Sequence, residues 1–202
     1  MKRLCEAQAY DKKPIASCYL ARTTDTPMLA TLTQDISTEI AIIGASFTGL
    51  SAGNHLAKRG ADVTVIEAEF PTFGATGRNG AFCCLGGARA ENVQLDRRYG
   101  KAQRLAYRRS DAAALGLVKD LLDEFDLQAD THSSGETLLA HRASDCDSLN
   151  SSRAQLKENY GVEALFDSKS ELRHLGMQGP FHGALTIPIG FGLNRKNMPM
   201  VC

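Results

Sequence analysis

The stretch Thr38-Glu39-Ile40-Ala41-Ile42-Ile43-Gly44-Ala45-Ser46-Phe47-Thr48-Gly49, running on to Glu67, decides the fold class of this chain. Ile40 to Ile43 is an unbroken apolar run rich in β-branched residues, the pattern of a strand buried on both faces of a parallel sheet. Gly44 permits the tight turn out of that strand, and Gly49 permits close packing of the helix that follows, Thr48 to Arg59. Leu50, Leu56 and Ala57 fall to one side of this helix, and Gly60 stands where a C-terminal cap belongs. A second apolar strand, Val63 to Ile66, ends in Glu67, about 20 residues past the glycines, which is the spacing of a dinucleotide-binding βαβ unit.

The chemistry follows from that geometry. N–H groups in the first turn of the helix lack partners along the chain, and the helix dipole adds partial positive charge, so a pyrophosphate suits that end. Glu67, with Ala68 beside it, is placed to accept hydrogen bonds from ribose hydroxyls and to repel a 2′-phosphate. Ser46 stands at the middle position of the glycine pattern, where a bare backbone usually lets phosphate approach. Its side chain either crowds the phosphate or donates a hydroxyl to it; the usual reason for glycine there, close approach, favours crowding.

Composition narrows the partners. Among 202 residues, 43% are hydrophobic and 23% charged, which is ordinary for a globular protein. Lys+Arg and Asp+Glu both number 23, and that balance gives no support for a nucleic-acid partner. No apolar run is long enough to span a membrane, and the N-terminal residues lack the apolar core of a signal peptide. The cysteines at 5, 18, 83, 84, 146 and 202 form no C-x-x-C pair, so neither a zinc site nor a thioredoxin-like motif is indicated, and no metal is expected. A reducing cytoplasm is the expected compartment.

A second glycine loop follows Glu67: Phe73-Gly74-Ala75-Thr76-Gly77-Arg78-Asn79-Gly80-Ala81. Together with Gly44-Ala45-Ser46-Phe47-Thr48-Gly49-Leu50-Ser51-Ala52, it resembles the FAD-dependent oxidoreductases of the D-amino-acid oxidase/glycine oxidase superfamily. Within that superfamily the sequence is most similar to the branch containing γ-glutamylputrescine oxidoreductase. Ser46 for glycine, Thr76 for serine and Ala81 for glycine are the departures from the pattern. The resemblance implies FAD as cofactor, held by Gly44, Ser46, Phe47, Thr48, Gly49, Glu67 and Ala68 in the first unit of the motif. In the second loop it implies Thr76, Gly77, Arg78, Asn79 and Gly80, running past the pyrophosphate and flavin side. Arg78 suits a phosphate, and no histidine lies between His55 and His132 to tether a flavin.

Further along, residues 100 to 126 carry the longest helical pattern, with Leu115, Val118, Leu121, Leu122 and Phe125 on one face. Arg97, Lys101, Arg104 and Arg108 recur at helical spacing and read as a solvated face. Gly135 to His141 and Val162 to Phe166 read as strands, Ser148 to Tyr160 as a helix, and Ser168 as the N-cap of a helix reaching Leu175. Gly183 to Pro188 reads as a last strand. Residues 1–37 are expected to be an extension over the first domain, and 38–202 the N-terminal portion of the oxidoreductase, its C-terminal half absent.

The expected fold class is therefore α/β: a Rossmann-like FAD-binding βαβ domain with the start of an inserted α+β substrate domain, truncated. The reaction implied by the resemblance is oxidation of a C–N bond of a small amine or amino acid by hydride transfer to flavin, with the early end expected to impair it. Two alternatives stay open: a non-catalytic nucleotide-binding remnant and an NAD-dependent dehydrogenase. No catalytic residue is named, because His132, His141, His174 and His182 are scattered along the sequence.

Overall fold

The computed structural model describes residues 29–86 and 90–194. The described residues divide into two compact units, 29–80 and Ala81–Asn194.

In the first unit, strand β1 (Ile40–Ile43), helix α1 (Phe47–Ala57) and strand β2 (Val63–Ile66) form the βαβ arrangement that the glycines and apolar runs foretell. The two strands pair in parallel, Ile40 opposite Val63 through Ile43 opposite Ile66. Gly60, at φ 86°, ends the helix, with its N–H on Ala57 O at 2.8 Å and the Ala61 N–H on Leu56 O at 3.2 Å. That is the paired bonding of a Schellman cap, and it needs the left-handed backbone that glycine takes without cost. Burial of β1 on both faces does not hold. Ile42 faces α1, whereas Ile43 is 80% exposed and Ala41 is exposed too. The reason is that one helix covers only one face of a two-stranded sheet, and among the described residues of this unit nothing covers the other. Of the expected extension, Leu29 to Ile36 line a groove of about 1370 Å³ with α1 and β2, while residues 1–28 lie outside the described residues.

The second unit opens with strand β3 (Phe82–Cys83), then helices α2 (Asn92–Tyr99) and α3 (Lys101–Glu124). Strand β4 (Glu136–Leu139), helix α4 (Ala143–Tyr160), strand β5 (Leu165–Ser168) and the single turn α5 (Lys169–Leu172) come next. Strands β6 (Gly183–Ile187) and β7 (Phe191–Gly192) complete it. The three longer strands form an antiparallel sheet in the order β4-β6-β5, and β3 pairs antiparallel with β7. Leu185 in the central strand is fully buried and packs with Ala164 and Ile187 against Leu149 and Leu156 of α4. Ser168 begins α5 as expected, its N–H donating to Glu171 Oε2 at 2.7 Å in a capping box. β5 begins at Leu165 and not at Val162, where the apolar pattern places it, because its register follows β6 and not its own hydrophobicity.

The basic stripe is where the sequence misleads most. Arg97 and Lys101 are exposed, but Arg104 is 3% and Arg108 8% exposed. Arg104 donates through Nε to Asp96 Oδ1 at 2.7 Å and through Nη2 to Glu158 Oε2 at 2.9 Å, and it also bonds Asn159. Arg108 donates to Asn92 Oδ1 and to the carbonyl of Ala90. Two guanidinium groups thus close the seam between α2, α3 and α4, each meeting several acceptors there.

A pH dependence follows. Hydrogen bonds from Lys101 first, and then from Arg104, hold the Glu158 carboxyl below its ordinary value. A depressed carboxylate contributes stability that is complete above the unfolded value, about 4.3, and is lost as pH falls through the lower folded value. The Tm should therefore drop as pH is taken below about 4, and Glu158→Gln should flatten that fall while lowering Tm at neutral pH. An unchanged acid limb in the variant, followed by calorimetry, would count against this assignment.

Candidate cofactor site

The site grows from the end of β1. Gly44 takes φ 103°, which frees the backbone to turn out of the strand, and its N–H donates to Ile66 O at 2.7 Å. The turn delivers the chain into α1 with Ser46 at the N-cap, φ −95° and ψ 179°. That is ordinary extended backbone, so Ser46 sits there without strain, and the usual glycine is not demanded by conformation. Its side chain makes no cap bond, and its Oγ lies 3.8 Å from where a Cβ on Gly74 would be, toward the second glycine loop. Gly49 is required by space: a Cβ there would stand 1.9 Å from Gly44 O. Helix and strand end are therefore in backbone contact, as dinucleotide folds need.

The second loop is packed onto the first. Ala75–Arg78 forms a 3₁₀ turn that brings Thr76 Oγ1 to 3.5 Å from the Phe47 N–H, at the open end of α1. Asn79 Nδ2 donates back to the carbonyls of Ala75 and Thr76, at 3.1 and 3.2 Å, so this residue shapes the loop. The side chain of Arg78 lies outside what the structure describes. Glu67 is half-buried and accepts the Ala45 N–H on Oε2 at 2.7 Å and the Ala68 and Glu69 N–H groups on Oε1 at 2.9 and 3.4 Å. A carboxylate has about four acceptor positions, which leaves one for a ribose hydroxyl. Gly44, Ser46, Phe47, Thr48, Gly49, Glu67, Ala68, Thr76, Gly77, Asn79 and Gly80 all belong to the first unit.

This geometry fits a dinucleotide. The first turn of α1 has no serine cap, its Phe47 N–H meeting Thr76 Oγ1 at 3.5 Å, and a fixed carboxylate ends the second strand. Sequence reading missed Thr72, which is 5% exposed at φ 66° and hydrogen-bonds both loops. Pro71 signals the turn, but threonine gives no hint of positive φ.

Elsewhere the described residues supply no obvious acid or base. His55, His132, His141 and His174 are exposed and His182 is half-buried, and among the described residues no group of three His, Cys, Asp or Glu is placed to hold a metal. Burial pushes the thiols of Cys83 and Cys84 above the usual cysteine value, so both stay protonated at neutral pH. No helix among the described residues is long and apolar enough to cross a membrane.

Comparison with known proteins shows the family. Residues 39–197 match the family model described as "FAD dependent oxidoreductase". The chain is 42% identical over 65 residues to gamma-glutamylputrescine oxidoreductase of Escherichia coli K12, covering 32% of this chain and 15% of that protein. It is 26% identical over 147 residues to the probable oxidoreductase OrdL of Haemophilus influenzae, covering 72% of this chain and 34% of the relative. Among solved structures, glycine oxidase from Bacillus cereus superposes with a TM-score of 0.59 at 16% identity, over 81% of this chain and 42% of that one. L-Amino acid deaminase from Proteus myxofaciens gives 0.65 at 14% identity, over 88% and 38%. The chain thus spans well under half the length of these relatives and shares their α/β fold. The family's cofactor is FAD, which decides against NAD. By its two glycine loops, its βαβ geometry and the family match across most of its length, this chain belongs to the DAO family of FAD-dependent oxidoreductases.

Proposed function

We propose that this chain is the FAD-holding N-terminal portion, residues 38–202, of an oxidoreductase acting on the C–N bond of an amine or amino acid, with residues 1–37 as an extension. The observation that carries the reading is the pair of glycine loops meeting at the open end of α1. The names of the relatives support the substrate class, since they include a γ-glutamylputrescine oxidoreductase and an L-amino acid deaminase. FAD, when bound, supplies the hydride acceptor for oxidation of the amine-bearing carbon.

This chain's residues do the holding. Backbone N–H groups in the first turn of α1 would receive the pyrophosphate, beside Thr76, whose Oγ1 accepts the Phe47 N–H. Glu67 orients the adenosine ribose, and Ala68 follows it along the same edge. Residues Thr76 to Gly80 would run along the flavin side. Calorimetric titration of the chain should show FAD and ADP binding ahead of NADP, because Glu67 faces the ribose and repels a 2′-phosphate. NADP binding more tightly than FAD would reject the assignment.

A further inference from the structure

Thr72 occupies a conformation that threonine avoids. Phe70 to Phe73 is a tight turn closed by the Phe73 N–H on Phe70 O at 3.0 Å, with Pro71 second and Thr72 third at φ 66°. That third position in a turn with positive φ ordinarily takes glycine or asparagine, and a β-branched residue there is an outlier. The backbone of Thr72 is fully engaged. Its N–H donates to Ala45 O at 2.9 Å in the first glycine loop, and its carbonyl accepts the Gly77 N–H at 3.0 Å in the second. The approach is so close that a Cβ on Gly77 would stand 2.4 Å from Thr72 O. Ala45 in turn donates to Glu67 Oε2 at 2.7 Å. One hydrogen-bonded line therefore runs from the carboxylate through Ala45 and Thr72 to Gly77.

We propose that Thr72 is the positioning residue that locks the two glycine loops into a single preformed cradle, its left-handed backbone being the lock. The inference rests on the cofactor reading above. Strained backbone of this kind persists where surrounding structure over-determines it, and it lowers the ordering cost of binding.

The test uses the whole chain, ADP as probe, and titration calorimetry well below the Tm. Thr72→Pro removes the N–H and cannot take positive φ, so ADP should bind about tenfold more weakly or worse. Thr72→Gly keeps the N–H, the carbonyl and the positive φ, and should bind within about twofold of the unaltered chain. A role confined to stability would lower the Tm of Thr72→Pro and leave the Kd of the folded fraction unchanged, which overturns the proposal. Thr72→Gly losing as much affinity as Thr72→Pro also overturns it, since the side chain would then be responsible. Should Thr72→Pro fail to fold, Gly77→Ala replaces it: its Cβ presses on Thr72 O and should weaken ADP binding with the circular dichroism intact. Part of that loss should return in Thr72→Gly/Gly77→Ala, where residue 72 can swing its carbonyl aside. Gly77→Ala binding ADP as the unaltered chain does would overturn the lock. An unaltered chain that binds no ADP overturns the cofactor reading and this inference with it; normal binding by a folded Thr72→Pro overturns this inference alone.

Discussion

Gly49→Ala should abolish measurable ADP and FAD binding and destabilise the chain by about 3 kcal/mol. The added Cβ would lie 1.9 Å from Gly44 O and 3.3 Å from Ile42 Cγ2. The first obstacle is backbone, so no rotamer change relieves it, and α1 must move away from β1. That shift displaces the N-terminal turn of the helix from the strand end, where Glu67 accepts the Ala45 N–H and where the proposed phosphate donors lie. Gly116→Ala in α3 is the matched control. A Cβ there meets nothing within 4 Å, so the same chemical change should stabilise by about 0.5–1 kcal/mol through helix propensity. Thermal unfolding and calorimetric titration of the two variants decide the matter. A Gly49→Ala chain that holds ADP with unaltered affinity would show that helix–strand contact does not build the site.

Residues 1–202 as an isolated polypeptide should release no more peroxide than background on a panel of amines and amino acids. The chain spans 42% of the glycine oxidase and 34% of the OrdL protein to which it is similar. Among the described residues of its first unit nothing covers one face of the parallel sheet, and Ile43 is 80% exposed. Oxidation of an amine needs the reacting carbon held against the flavin with water excluded, which a candidate cofactor site by itself does not supply. Nucleotide binding and turnover should therefore separate, which is also the behaviour of a nucleotide-binding remnant. Turnover of about 1 s⁻¹ or more would place this chain among working enzymes and overturn the expectation.

Much of this molecule is legible in the sequence because it rests on local rules. A glycine at 44 to turn, a glycine at 49 for backbone contact, a glycine at 60 to cap and an acid after the second strand are each set by sterics or chemistry within a few residues. Their spacing specifies the βαβ unit and, with the loop at 74 to 80, the family. The capping box at Ser168 and the apolar face ending in Leu121 and Leu122 are local in the same sense.

What only the tertiary structure decided depends on partners distant along the chain. Arg104 and Arg108 carry the pattern of a solvated stripe, yet Arg104 is buried because Glu158 and Asn159 of α4 arrive with acceptors for it. Helical periodicity cannot report that, since a long charged side chain looks the same whether or not a partner meets it. The register of β5 is dictated by its neighbour β6, and the exposure of Ile43 by which elements cover the sheet. Thr72 is the clearest case. Threonine's own preference points away from positive φ, and its conformation is imposed by bonds to Ala45 and Gly77 in two different loops. Local preference sets the elements, whereas the cost of leaving buried polar groups unpaired sets how they are joined.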